Sequence, residues 1–161
     1  MTAEAQGFVD KSTSSLSEYQ FKLSKILVAI DGSENAKRAL EVALGLCQNY
    51  HSKLVILNTV LIDHYGIQHS RYSEGDSKRI LDEAVSIAKK SFATVGFPTE
   101  VSGEVKHATS IVETIIETAL NEKVDLIVIG TRGLGGFKKL LLGSVSSGVV
   151  THANCNVLVV R

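Results

Sequence analysis

The sequence has no excess of charge of either sign, which limits the partners that it is built to bind. Its 161 residues carry 17 Lys plus Arg and 17 Asp plus Glu, so the formal net charge is zero. A nucleic-acid-binding domain typically shows an excess of basic residues, and a domain that binds cationic partners shows an excess of acidic residues. The composition therefore favours neither nucleic acid nor a cationic partner.

Cysteines and long apolar runs are also scarce. Cys47 and Cys155 have no metal-type spacing, and two cysteines make no disulfide framework, so a reducing, cytoplasmic setting is expected. No apolar run approaches the length of a membrane span, so no membrane partner is expected. The N-terminus lacks the basic start and apolar block of a secretory signal.

Length and local composition predict one domain preceded by a tail. A chain of this length favours a single domain. Residues 1–22 are polar, rich in Ser and Thr and without clear period, which predicts a flexible tail. Phosphorylation of its serines is the less favoured alternative. The domain is expected to span residues 23–161.

From Lys25 onward, short apolar runs alternate with helical patterns. The predicted strands are Lys25–Ile30, Lys53–Val60, about Glu100–Lys106, Val124–Gly130 and Asn156–Arg161. The predicted helices are Glu34–Tyr50, about Lys78–Thr94, one capped by Ser110 and one after Gly143. This alternation predicts an α/β fold: a five-stranded parallel sheet with helices on both faces and right-handed crossovers.

The polar residues that end two of these strands predict a ligand site. Asp31 follows the first strand, and Gly130 ends the fourth strand. Either Asp31 or Ser33 can cap the helix that follows the first strand. In the strand order 3-2-1-4-5 these two strands are neighbours where the winding reverses. Ligands of such sheets bind beyond the carboxyl ends at that point. We therefore expect Asp31 and Gly130 to face one crevice.

A glycine-rich segment, "GTRGLGGFKKLLLGS", follows the fourth strand. The Walker pattern fails because Phe137 follows Gly136, and the dinucleotide pattern G-x-G-x-x-G fails because Lys138 takes its third glycine position. No G-x-S-x-G elbow surrounds Ser144, so a hydrolase nucleophile is unsupported. The segment therefore belongs to none of these three classes.

A fourth spacing pattern is complete in this segment. Gly130, two residues, Gly133, nine residues, Gly143 and Ser144 match the G-2x-G-9x-G-S/T signature. With "KILVAIDGSENAKRAL" and "LLLGSVSSGVVTHANCNVLVVR", the chain resembles the universal stress protein family over about Lys25 to Arg161. The resemblance implies a Rossmann-like fold of the adenine nucleotide alpha hydrolase type.

The signature has a physical interpretation of its own. Gly143 and Ser144 stand at a helix start, where unpartnered N–H groups and the positive helix end favour a phosphate. Gly130 would let the backbone approach a ribose or phosphate, Gly133 would permit a tight turn, and the hydroxyl of Ser146 would add a donor beside that of Ser144. The alternative is that the glycines only shape turns and Ser144 only caps the helix.

The resemblance implies bound ATP, with Mg²⁺ or Mn²⁺ held by its phosphates rather than by a protein cage. Ala29 and Asp31 match adenine contacts, and Thr59 matches a base or ribose contact. Arg132, inside the loop, is a further phosphate candidate. The positions that match ribose and phosphate contacts are Ile129, Gly130, Gly133, Gly143, Ser144, Val145 and Ser146. The chain departs from the family at "HATSIV", where Gly-x-Pro is frequent.

The expected function is that of an ATP-binding regulatory module in the stress response, with no catalytic residue assigned. The alternatives are a slow ATP hydrolase of the same fold and a dimeric stress protein that binds no nucleotide.

The segment that contains Asp63, His64 and His69 is interpreted as a surface loop rather than as a zinc site. Family members dimerise through the last strand, so a homodimer through residues 156–161 is expected. The regulatory partner is left open.

Overall fold

The computed structural model of the chain describes residues 22–63, 65, 67, 73–96, 99–133 and 142–161. Within these residues, strands and helices alternate as β1 (Lys25–Ile30), α1 (Glu34–Tyr50), β2 (Lys53–Leu61), α2 (Glu74–Thr94), β3 (Val101–Ala108), α3 (Ile111–Asn121), β4 (Leu126–Gly130), α4 (Ser144–His152) and β5 (Asn156–Val160). The predicted tail except Lys22, and the candidate histidines His64 and His69, lie outside the described residues.

The strands form one parallel sheet in the order β3-β2-β1-β4-β5. This confirms the predicted fold class and strand order. The central strand β1 is enclosed on both faces, because Ile26, Leu27 and Val28 are all fully buried. A strand covered on both faces needs a continuous apolar run, and "KILVAI" supplies one.

Helices cover both faces of the sheet and enclose two apolar cores. Successive side chains of a strand point to opposite faces. Ile26 and Val28 therefore enter the core beneath α1 and α2, whereas Leu27 enters the core beneath α3 and α4. The predicted apolar face of α1 is buried throughout; it consists of Ala36, Ala39, Leu40, Ala43, Leu44 and Cys47.

Side-chain caps fix where the helices begin. Ser33 caps α1, since its Oγ accepts the Ala36 N–H at 3.2 Å. Helix α2 begins at Glu74, earlier than the predicted start near Lys78. The reason is a capping box in which Ser73 accepts the N–H of Asp76 and the Asp76 carboxylate accepts the N–H of Ser73.

Two expectations from composition concern cysteines and membrane segments. Both cysteines are free thiols. Cys47 is buried in α1, and burial raises the pKa of its thiol to about 12. Among the described helices, none combines the length and the apolar character that crossing a membrane requires.

Gly130, at the end of β4, is required by the packing of the protein itself. A Cβ built on Gly130 would lie 2.8 Å from the backbone carbonyl carbon of Asn35 and 3.0 Å from its oxygen. Helix α1 therefore begins directly on top of Gly130. The packing of α1 therefore requires a glycine here whether or not a ligand binds, and the expectation that this glycine also lets a ribose or phosphate approach stays a prediction.

A matched pair of glycine substitutions tests this packing. Gly130→Ala should lower the free energy of unfolding by about 1–3 kcal/mol, because a backbone cannot move aside as a side chain can. Gly45→Ala should raise it by about 0.5–1 kcal/mol, since Gly45 lies inside α1 and a Cβ there meets nothing within 4 Å. Urea unfolding measures both; a Gly130→Ala protein as stable as the wild type would contradict the packing argument.

Candidate functional site

A crevice of about 320 Å³ opens at the carboxyl ends of the central strands. It lies where the strand order reverses, because β1 pairs with β2 on one side and with β4 on the other. All eleven candidate residues line it, namely Ala29, Asp31, Thr59, Ile129, Gly130, Arg132, Gly133, Gly143, Ser144, Val145 and Ser146. The topology thus brings together residues that are more than 100 positions apart in the chain.

The crevice also has an apolar lining that the motifs did not indicate. The further lining residues are Ile30, Ala36, Leu57, Ile111, Ile115 and Leu142. Ile111 and Ile115 are one helical turn apart on α3, which is the only sequence signal that they share a face. Ile111 belongs to "HATSIV", so this segment borders the crevice through an apolar side chain.

The carbonyl of Thr131 closes the turn between β4 and α4. The N–H of Gly143 donates to this oxygen at 2.7 Å. The hydroxyl of Ser146 donates to the same oxygen at 2.9 Å. These bonds bring the start of α4 back to the end of β4, so Gly143 lies beside Arg132 although ten residues separate them in sequence.

The first turn of α4 faces the crevice. Gly143 is the N-cap residue, with φ −75°, and makes no side-chain cap hydrogen bond. Ser144 is the first helical residue rather than the cap, and it is exposed. A helix start without a side-chain cap retains N–H groups that can bind an anion.

Ser146 differs from Ser144 in the direction of its hydroxyl. Its side chain is buried, and the hydroxyl donates to the carbonyls of Thr131 and Gly143. The expectation that this hydroxyl donates to a phosphate stays a prediction, although in this structure the hydroxyl donates to these two carbonyls. Ser146 holds α4 against the end of β4.

Asp31 reaches from the end of β1 to the glycine segment. One carboxylate oxygen, Oδ1, accepts the N–H of Ser33 at 2.9 Å. The other, Oδ2, occupies the space that a Cβ on Gly133 would need. Gly133 has no positive φ, so its lack of a side chain serves this close approach rather than an unusual turn.

The start of α1 is tied to the same segment. The amide of Asn35 donates to the carbonyl oxygen of Arg132 at 3.3 Å, and the hydroxyl of Ser33 lies 3.5 Å from it. On the other side of β1, the buried amide of Asn58 donates to the carbonyl of Ile30 at 3.1 Å. The mouth of the crevice is therefore held by hydrogen bonds from the start of α1 to the residue after β4 and from β2 to the end of β1.

Metal ligands are sparse in the part of the chain that the structure describes. It contains no group of three or more His, Cys, Asp or Glu side chains arranged to hold a metal ion. Among the described residues that line the crevice, Asp31 is the one carboxylate and Arg132 the one cation.

Comparison with known proteins agrees with this architecture. The sequence model of the universal stress protein family matches residues 22–161. A universal stress protein from Thermus aquaticus, encoded in the QAH/OAS sulfhydrylase 3′ region, is 38% identical over 138 residues, covering 84% of this chain and 97% of that protein.

Solved structures show the same fold. The universal stress protein UspA from Lactobacillus plantarum superposes with a TM-score of 0.65 at 27% identity, covering 88% of this chain and all of that one. A universal stress protein in complex with cAMP superposes with a TM-score of 0.64 at 28% identity, covering 86% and 96%. Family model, sequence relative and structures agree, and the chain belongs to the universal stress protein family.

Proposed function

We propose that this protein binds an adenine nucleotide, with ATP as the expected ligand, and acts as a nucleotide-dependent regulatory module. The observation that carries the proposal is the single crevice into which all eleven candidate residues converge. A family member of similar fold was solved with cAMP, which supports an adenine nucleotide as the class of ligand. The volume of about 320 Å³ lies at the lower end of the range typical of small-molecule pockets.

The lining of the crevice suits both the base and the phosphates of a nucleotide. Leu57, Ile111 and Ile115 supply apolar surface against which a purine ring can pack. The first turn of α4 supplies backbone N–H groups for a phosphate, and Arg132 supplies a positive charge. Mg²⁺ or Mn²⁺ would be held chiefly by the phosphates, because Mg²⁺ usually keeps several of its water ligands and takes few from the protein.

A homodimer through residues 156–161 is the second part of the proposal. β5 is an edge strand of the sheet, and an apolar edge invites pairing with another chain. A two-fold axis would set β5 antiparallel to its copy. Leu158 is 37% exposed on this strand, while Val157 and Val159 pack against the core beneath α3 and α4.

The nucleotide site can be tested at Gly143. Gly143→Val should weaken ATP binding at least about tenfold, because the added methyl groups take space at the helix start where the phosphates bind. A Cβ at Gly143 would lie 3.3 Å from the carbonyl oxygen of Thr131, so the protein itself needs only a small adjustment. Calorimetry of ATP binding measures the effect, with Gly45→Val as the control outside the crevice. Equal affinity in wild type and Gly143→Val would refute this site.

Turnover of ATP should be slow. Among the described lining residues there is no histidine, and the one carboxylate, Asp31, is engaged by the N–H of Ser33. A general base for water is therefore not evident, and we expect a rate far below the enzyme median of roughly 10 s⁻¹. Phosphate release by purified protein measures it. Rapid release that disappears in Ser144→Ala would instead favour the hydrolase alternative.

The dimer can be tested at Leu158. Leu158→Lys should give a folded monomer, because the charge falls at the proposed interface while the core is unchanged. Lysine at Val157 or Val159 is a poorer test, since it would enter the core. Ile87→Lys is the control: Ile87 is 46% exposed on α2. Light scattering at micromolar concentration gives the mass, and a monomeric wild type would rule out the dimer.

A further inference from the structure

The two edge strands of the sheet differ in their side chains. Among the described strands, β3 and β5 lie at the two ends of the sheet. The residues of β5, Asn156–Val160, include no charged side chain. By contrast, β3, Val101–Ala108, carries Glu104, Lys106 and His107. An edge strand exposes backbone N–H and C=O groups that can pair with another chain, and charged side chains oppose such pairing.

Lys106 directs its side chain inward, beneath α3. Its ammonium group, Nζ, donates to the hydroxyl oxygen of Thr118 at 3.0 Å. Thr118 is 1% exposed, and its hydroxyl donates its own proton to the carbonyl of Thr114 at 2.7 Å. Because that proton is engaged within α3, the hydroxyl oxygen of Thr118 is oriented as an acceptor for Lys106. The charge of Lys106 is thereby held between β3 and α3.

Water reaches the Lys106 ammonium group from the outer side of β3, since β2 and α3 lie on its inner side. The Lys106 side chain is 31% exposed, and Nζ lies 3.4 Å from a carboxylate oxygen of Glu104, whose side chain is 56% exposed. A further strand paired with β3 would cover this outer side. It would take both charges out of water, at a cost that the attraction between them often fails to offset.

The backbone of β3 directs the N–H of every second residue away from β2. The carbonyls of Glu100 and Ala108 accept the N–H groups of Leu54 and Ile62. The register between the two strands is constant, so the even-numbered residues of β3 bond to β2 and the odd-numbered residues face outward. The N–H of His107 therefore points to the side on which a further strand would pair.

We propose that Lys106 keeps the β3 edge from pairing with another chain, so that the sheet is not extended at both edges. Subunits that paired through β3 as well as β5 would have no closed end and would form open assemblies. The ammonium group beneath α3 makes pairing at β3 costly and has no effect on β5. This inference goes beyond nucleotide binding and does not depend on it.

Light scattering over a range of protein concentrations tests the inference on the full chain. Lys106→Met keeps a long side chain that can pack beneath α3 but removes the charge. Its mean mass should be at least about twofold that of the wild type at the same concentration, because the smallest new assembly joins two wild-type units. Lys106→Gln is also neutral and should associate likewise; it keeps a polar group in case the apolar side chain impairs folding. Lys106→Arg keeps the charge and should keep the wild-type mass.

Two further variants identify the cause and the place of the association. Lys53→Met is the matched control, because Lys53 is an exposed lysine at the start of β2 that pairs with Glu100; it should keep the wild-type mass. Lys106→Met combined with His107→Pro should return to the wild-type mass, since proline removes an outward N–H without removing a hydrogen bond to β2. Circular dichroism checks that each variant is folded.

The other outcomes overturn the inference. A folded neutral variant at position 106 with the mass of the wild type shows that the charge does not keep the edge unpaired. Association of Lys106→Arg or of Lys53→Met as well shows that the charge beneath α3 is not the cause. Association of Lys106→Met that persists with His107→Pro places the contact elsewhere on the molecule.

Discussion

The backbone carbonyl of Thr131 is the point on which the crevice depends. It accepts the N–H of Gly143 and the hydroxyl of Ser146, while the N–H of Thr131 donates to the carbonyl of Val160. The backbone N–H and C=O of one buried residue thus join the end of β4 to the start of α4 and to the end of β5. Buried backbone groups are costly to leave unpaired, so the position of α4 is set by hydrogen bonding as well as by apolar packing.

Close packing between α3 and α4 completes the crevice. A Cβ on Gly148 would lie 2.8 Å from a methyl group of Val112, so the absence of a side chain lets the two helices approach each other. Val112 adjoins Ile111, which lines the apolar part of the crevice. The apolar part and the polar turn therefore come from two helices that share one face of the sheet, and their separation is fixed by this contact.

Much of the fold was predictable because its signals are local. β1 is an uninterrupted apolar run, and the apolar positions of α1 recur at helical spacing, so both elements were predicted at their observed bounds. Alternation and right-handed crossovers leave only a few topologies, and the order supposed among them, 3-2-1-4-5, is the one observed. The start of α2 was missed because its Ser73–Asp76 capping box lies within a polar segment that resembles a loop.

The site itself was predictable only where a motif marks it. Ile111 and Ile115 carry no chemical signal, and only the packing of α3 on the sheet brings them to the crevice. The sequence predicts that Ser146 and Asp31 lie at the crevice, but it does not predict where the hydroxyl and the carboxylate point. Side-chain direction depends on tertiary partners, here the carbonyl of Thr131 and the N–H of Ser33, which a linear pattern does not contain.

The reason that Gly130 lacks a side chain has an evolutionary consequence. Because α1 begins on this glycine, selection for stability alone would retain it in a lineage that had lost its ligand. The packing of the protein does not require a glycine at position 143 in the same way, since its φ is ordinary and a Cβ there would need only a small shift of its neighbours. Among descendants of such a chain, replacement of Gly143 would therefore be the earlier mark of a lost ligand, whereas survival of Gly130 would indicate only that the helix still begins in the same place.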